Sequence, residues 1–246
     1  MLNQDNKTNF IKSFSIDFDK LETKDAKDIL SWSMEKFSPK IAFASSFGAE
    51  DVVIIDLMAK INKNKTRIFT LDTGRLNPET YDVMDQIQKK YQISIETLFP
   101  DSFEVEKMVY EKGINLMYQS IPNRKLCCEI RKIHPLKRIL ETLDAWITGL
   151  RRDQTFTRTN TKKIEIDTSN HDIIKINPLA DWTNDMVWDY IKKNNIPYNK
   201  LHDLGYPSIG CAPCTRAISS GDDLRSGRWW WENDLHKECG LHWNKN

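Results

Sequence analysis

Hydrophobic positions recur with a helical period over 19–37, and the run KIAFA at 40–44 that follows is short, apolar and closed by small residues, as a buried strand is. The two periods then alternate. Helical spacing returns over 50–61, RIFTL at 67–71 reads as a strand, 78–91 as a helix, and 93–97 as a strand. Helices over 102–112 and 127–140 lead to a strand at 145–148, and 173–176 adds one more strand. Strands separated by helices predict an α/β fold, a parallel sheet flanked by helices. Past Trp182 the pattern changes: one amphipathic helix over 184–193 precedes a stretch of Pro, Gly, Cys and Trp without periodicity. The expected organisation is an α/β nucleotide-binding unit over 1–200, with a short N-terminal extension, and an irregular C-terminal tail over 201–246 held by something other than a hydrophobic core.

Charge narrows the partners. Lys and Arg total 36 against 35 Asp and Glu, a formal charge of +1, and no block of one sign is long enough for a nucleic-acid arm or a membrane patch. An anion must therefore be bound locally. The first ten residues, MLNQDNKTNF, lack the basic and apolar segments of a secretion signal, and no apolar run reaches spanning length, so a cytoplasmic protein is expected. Homo-oligomerisation is left open. Five cysteines, two adjacent and two spaced Cys-x-x-Cys, suit metal binding or reactivity better than a disulfide framework.

In an open parallel sheet, ligands bind beyond the carboxyl ends of the strands. SSFGAED at 45–51 occupies that position after the first strand, with hydroxyls, a small Gly and the N–H groups of a first helical turn for a phosphate or sulfate; the same residues also make an ordinary N-cap and tight turn. LDTGR at 71–75 leaves the second strand toward the same edge. Arg151 and Arg152 leave the strand containing Trp146, with Arg158 close behind, and guanidinium forks suit phosphate and sulfate unless they pair with Asp153 or Asp181.

Cys127 and Cys128, with Cys211 and Cys214, offer four thiolates from two distant segments. Adjacent cysteines turn poorly toward one zinc ion, whereas a four-iron cluster gives each its own corner, which favours [4Fe-4S]. A buried apolar pair and a redox pair is the alternative. Arg131 and Lys132, one turn after the tandem pair, supply cations for a cluster and for a substrate anion. Cys239 stands among His236, Lys237 and His242, which favour its thiolate, and beside Gly240, which leaves it open to act as a nucleophile. Arg225, Arg228 and the run Trp229 to Trp231 lie just upstream, with the tryptophans as packing anchors.

Together SSFGAED, LDTGR, NPETYD, CCEIRK, GLRRDQ, CAPCTR, GRWWWE and KECGLH closely resemble the assimilatory adenylyl-sulfate and phosphoadenylyl-sulfate reductases over about 41–242. The resemblance implies an adenine-nucleotide α-hydrolase-like fold with the catalytic cysteine, Cys239, in the C-terminal tail. It implies substrate contacts from Ser45, Ser46, Gly48, Lys132, Arg151, Arg158, Arg225, Arg228 and His242. With both cysteine pairs present, it points to the cluster-bearing branch acting on adenylyl sulfate, a 3′-phosphorylated or dual substrate being the alternative. No fused thioredoxin-like domain is seen, so a separate thioredoxin or glutaredoxin is expected as reductant. Two rivals remain. An ATP-using adenylating enzyme of the same fold would read closer to Ser-Gly-Gly-x-Asp-Ser than SSFGAED does, and an iron-sulfur sensor would not need a fifth thiol among cations.

Overall fold

The computed structural model describes residues 16–219 and 221–232. Among them six strands form one sheet: β1 (Ile41–Ala44), β2 (Ile68–Leu71), β3 (Ile95–Leu98), β4 (Ala145–Ile147), β5 (Ile164–Asp167) and β6 (Ile173–Ile176). Their order is β3-β2-β1-β4-β6-β5, parallel throughout except that β5 pairs antiparallel with β6 at the edge. The chain runs outward from β1 to β3 and then crosses back to place β4 on the other side of β1. The crevice between the ends of β1 and β4 is thus the switch point where such sheets bind ligands.

The inner strands β1, β2, β4 and β6 are covered on both faces, and their side chains alternate accordingly. Ile41, Phe43, Ile68, Ala145, Ile147, Ile174 and Ile176 enter one buried cluster. With them pack residues of α1 (Phe18–Glu22), α2 (Ala26–Phe37), α3 (Ala49–Asn62), α4 (Pro78–Tyr91) and α8 (Asn184–Lys193). Ala42, Phe69, Trp146 and Ile173 face the other way, against Leu136, Ile139 and Leu140 of α7 (His134–Leu140). Central α3 is apolar from Val52 to Ile55, and its one buried mid-helix charge, Asp56, accepts from Tyr91 and Tyr190 at 2.8 Å and pairs with Lys60 at 2.7 Å. A lone carboxylate there would be costly; this one ties three helices together.

Three expectations change. The helix expected over 19–37 is two, because Asp25 caps α2 by accepting from Asp28 N at 2.7 Å. The sheet is not wholly parallel, since the polar edge strand β5 turns back through residues 168–170 to pair with β6. The helix expected over 127–140 starts earlier. It comprises α6 (Ile121–Cys128), a π turn over Glu129–Ile133, and α7; α5 (Ser102–Lys112) precedes it. Pro135 cannot donate to the carbonyl four residues back, and the widened turn directly before it absorbs that break. No helix of the described residues is long and apolar enough to cross a membrane.

Candidate functional site: a cationic cleft beside a four-cysteine pocket

A cleft of about 640 Å³ opens at the switch point between β1 and β4. Of the expected substrate contacts, Ser45, Ser46, Gly48, Lys132, Arg151, Arg158, Arg225 and Arg228 all line it. Its lining carries five Lys and Arg side chains against three carboxylates, those of Glu50, Asp51 and Asp222, so the cleft favours an anion although the whole chain is nearly neutral. Cys239 and His242, with His236 and Lys237, lie outside the described residues.

The loop after β1 works differently from expectation. Its N–H groups are not all open to a ligand: Asp51 Oδ2 accepts from Ser46 N at 2.6 Å, Ser46 Oγ at 2.9 Å and Gly48 N at 3.4 Å, while Phe47 N donates to Ser45 Oγ at 3.1 Å. A carboxylate of the chain itself therefore fills the turn. Phe47 adopts φ 59°, a left-handed backbone that costs a bulky residue about 1–2 kcal/mol, and burying its ring completely is worth a comparable amount. Gly149, in the loop after β4, must lack a side chain because a Cβ there would lie 2.4 Å from Asp51 Oδ1.

Burial, aided by neighbouring Glu50 and opposed by the Ser46 hydrogen bonds, raises the Asp51 carboxyl from 3.8 to about 6. The folded state thus takes up this proton before the unfolded chain does. The contribution of Asp51 to stability must rise as pH falls from about 6 to 3.8, by up to about 3 kcal/mol for a shift of two units. Urea unfolding of the wild type and Asp51→Asn from pH 7 to 4 is expected to show the difference in stability moving in favour of the wild type on acidification. A constant difference would remove this account of the loop.

Along the wall from β4, polar groups form a chain. Arg151, buried to 1% exposure, donates from Nε to Glu50 Oε1 at 2.8 Å and from Nη1 to Asp153 Oδ2 at 3.2 Å and the Trp182 carbonyl at 3.1 Å. Gln154 Nε2 shares Glu50 Oε1 at 2.9 Å, and Gln154 Oε1 accepts from Arg158. Arg151 is thus a pinned structural cation that lends the cleft its charge. Arg152 points elsewhere, to Glu22 and the Thr161 carbonyl, and does not line the cleft. Arg228 keeps more capacity: it donates to the Ile209 carbonyl at 3.2 Å and stacks 4.9 Å from the Trp229 ring, while its buried Nε has no hydrogen-bond partner. Gly210 gives this guanidinium room, since a Cβ there would sit 2.4 Å from Nη2.

The four cysteines meet. Cys127, Cys128, Cys211 and Cys214 line one small pocket with Thr73, Arg75, Arg124, Arg131 and Lys132. LDTGR belongs to this pocket more than to the cleft. Thr73 Oγ1 is 3.2 Å from Cys211 Sγ, the Arg75 carbonyl accepts from Ala212 N at 2.8 Å, and Arg131 Nη1 donates to the Thr73 carbonyl at 2.6 Å. Burial pushes the Cys214 thiol up to about 12, Cys211 adding to the shift and Arg228 opposing it; burial also raises Cys127, against the pull of Arg131. Bare thiolates are costly here, and a sulfur-binding metal group would reverse that cost, so the donor set fits such a group. Among the described residues no group of three or more His, Cys, Asp and Glu closes on a point as one metal ion requires. Lys132 lines both the cysteine pocket and the cleft.

Contrary to expectation, the described part of the tail has an apolar core. Trp229 and Cys214 pack with Met108, Leu116, Met117 and Cys127, and Thr215 bridges to Arg228. Sequence reasoning also passed over His202, whose Nε2 is buried without a hydrogen-bond partner and whose pKa is lowered by burial at the edge of the cleft. Its place in LHDLG carries no local signal.

Known proteins resemble this chain in sequence and in fold. Residues 40–217 match the family profile described as "Phosphoadenosine phosphosulfate reductase domain". The chain is 46% identical over 230 residues to a protein of Allochromatium vinosum named adenosine 5′-phosphosulfate reductase, covering 93% of this chain and 89% of that one. A crystal structure of phosphoadenylyl-sulfate reductase from Candida auris superposes with a TM-score of 0.68 at 30% identity, over 79% of this chain and 94% of that one. The NH3-dependent NAD synthetase of Campylobacter jejuni, at a TM-score of 0.51 and 10% identity over 78% of this chain and 79% of that one, shares the fold alone.

Proposed function

The chain belongs to the phosphoadenosine phosphosulfate reductase domain family, and from that premise we propose that it reduces adenylyl sulfate to sulfite and AMP in sulfate assimilation, through an S-sulfocysteine on Cys239. The observation that carries this reading is the cleft itself: a cavity at the switch point, lined by five Lys and Arg side chains, with Lys132 reaching the wall it shares with four thiols. The 46% identical relative named for the adenosine 5′-phosphosulfate substrate favours a nucleotide without a 3′-phosphate.

The chemistry follows from charge. Lys132, Arg158, Arg225 and Arg228 neutralise the phosphate-sulfate anhydride, which makes AMP a good leaving group and stabilises charge developing on the bridging oxygen. The Cys239 thiolate attacks the sulfur of the sulfate group, a sulfur-sulfur bond forms, and the sulfur-oxygen bond breaks with its electron pair leaving on AMP. A thioredoxin or glutaredoxin thiolate then attacks Cys239 Sγ, and sulfite departs with the pair of the broken bond. The second thiol of that dithiol resolves the mixed disulfide and returns Cys239 reduced, so the dithiol supplies both electrons.

Cys127, Cys128, Cys211 and Cys214 are the residues that would hold a [4Fe-4S] cluster. Bound there, it would crosslink the two segments and supply a fixed negative field beside Lys132. Arg131, Arg124 and Arg75 give that charge its counterions. A cytoplasmic setting, where thiols stay reduced, completes the proposal.

Arg228 offers a direct check. Gly210→Ala is expected to displace its guanidinium and raise KM for adenylyl sulfate about tenfold, the worth of one charged hydrogen bond, with iron content unchanged. An unaltered KM would take Arg228 out of the binding set. The function as a whole is tested by sulfite release from adenylyl sulfate and from its 3′-phosphorylated form, each with reduced thioredoxin, on anaerobically purified protein. Turnover of adenylyl sulfate with little of the other is expected; turnover of neither refutes the reading.

A further inference from the structure

Two carboxylates stand side by side in the first turn of α3, and only one has a cation. Glu50 accepts from Arg151 Nε at 2.8 Å and from Gln154 Nε2 at 2.9 Å, whereas among the described residues Asp51 pairs with no Lys, Arg or His. The two oxygens of Asp51 differ as well. Oδ2 accepts three bonds, from Ser46 N, Ser46 Oγ and Gly48 N, while among the described residues Oδ1 accepts none. Asp51, Ser46 and Gly48 all line the cleft. Gly149 keeps the space beside Oδ1 clear: a Cβ there would lie 2.4 Å away, too close for carbon but near the separation of about 2.6 Å at which a charge-assisted O–H···O bond forms. The charges around Asp51 are Glu50 on the same helix, Arg151 from the loop after β4, which Glu50 holds, and His202 in the turn over Lys200–Leu204, within electrostatic reach of Glu50. The loop after β1 faces it with hydroxyl and N–H groups.

We propose that Asp51 is a further substrate-binding residue, which takes a proton from solvent when the nucleotide's anhydride enters the cleft and donates it from Oδ1 to an anhydride oxygen. This rests on the reading of Ser46 and Gly48 as substrate contacts. Negative charge brought against a buried carboxylate that lacks a cation favours its neutral form, and the neutral carboxyl is a donor where the carboxylate repels. Oδ2 keeps its three loop donors in either state, so the turn stays as it is. A carboxyl already raised to about 6 needs only a modest further rise to be protonated at neutral pH. If the bound anion adds about two units, uptake at pH 7 is about 0.8 proton per nucleotide, and affinity falls roughly tenfold from pH 6.5 to 8. The Lys and Arg side chains of the cleft carry the attraction, and Asp51 supplies one hydrogen bond that is lost as pH rises.

The test titrates adenylyl sulfate, whose phosphate and sulfate stay ionised over this range, into the anaerobically purified full chain carrying Cys239→Ser, so that no sulfonate transfer intervenes. Isothermal titration in buffers of different ionisation enthalpy counts the protons taken up, with Asp51 intact and with Asp51→Asn. The amide keeps the shape, accepts the loop bonds through its carbonyl and donates at any pH. Uptake at pH 7 is expected to be lower by about 0.8 proton in Asp51→Asn, and its affinity to lose the tenfold decline toward pH 8. Should Asp51→Asn not fold, infrared difference spectra of the chain with Asp51 intact and carbon-13-labelled aspartate are expected to show a protonated-carboxyl band appearing on binding. Equal uptake in the two proteins, no uptake in either, or no such band overturns the role of Asp51 and leaves the functional reading in place. A chain that binds no adenylyl sulfate even at pH 6.5 contradicts both.

Discussion

Cys239→Ser is expected to lower sulfite release by at least about 10³-fold while AMP binding stays at the wild-type level. Bonds rather than position set this loss. A serine hydroxyl is a far poorer nucleophile than a thiolate at neutral pH, and even a successful attack would yield a sulfate ester. That ester contains no sulfur-sulfur bond for a thioredoxin thiolate to break, so sulfite could not form by the second step. The cleft cations all belong to other residues and are untouched by the change. Steady-state sulfite assays with AMP titration check this, and release within tenfold of wild type would exclude a covalent route through this thiol.

Arg151→Met is expected to cost about 3 kcal/mol of stability and to lower Tm by roughly 6–12 °C. Removing the guanidinium leaves Glu50, whose side chain is 18% exposed, without its ion-pair partner, and strips a donor from the Trp182 carbonyl and from Asp153. Gln154, which orients Arg158, keeps its own bond to Glu50 Oε1. Glu50 lies beside Asp51, already pushed toward neutrality by burial, so an added uncompensated charge there is poorly tolerated. The double variant Glu50→Met with Arg151→Met is expected to recover most of the lost stability, since both charges are removed together. Thermal unfolding of the three proteins decides it: a shift below about 2 °C in Arg151→Met would show the pair to be dispensable.

Much of the fold was legible because burial on both faces leaves strands as short apolar runs. IAFA, IFTL and IIKI read directly, and Pro78 and Thr183 mark the helix starts that α4 and α8 adopt. IEID did not, because an edge strand carrying two acids in four residues lacks the continuous apolar run that marked the others. In the site, residue types announced the chemistry but not the partners. Arg151 had Asp153 two residues away, yet its Nε pairs with Glu50, 101 residues distant, a choice made only by the sheet bringing β1 and β4 together. SSFGAED read as a phosphate loop or an ordinary N-cap and tight turn, with no role for Asp51, whose place as the group that fills the turn goes with the left-handed Phe47. LDTGR gave no sign that it serves the cysteines, since the antiparallel turn of the tail that delivers Cys211 to Thr73 is set by Thr215, Gly227 and Trp229 packing.

In the proposed reaction one thiol takes sulfonate while four others are engaged in the neighbouring pocket. Mass analysis of intact protein and its peptides, after anaerobic mixing with adenylyl sulfate and no reductant, tests it most directly. One SO3 group per chain is expected, on the peptide containing Cys239, released as sulfite when thioredoxin is added. Sulfite formed with no sulfonated protein at any time, or sulfonate found on Cys127, Cys128, Cys211 or Cys214, would contradict it.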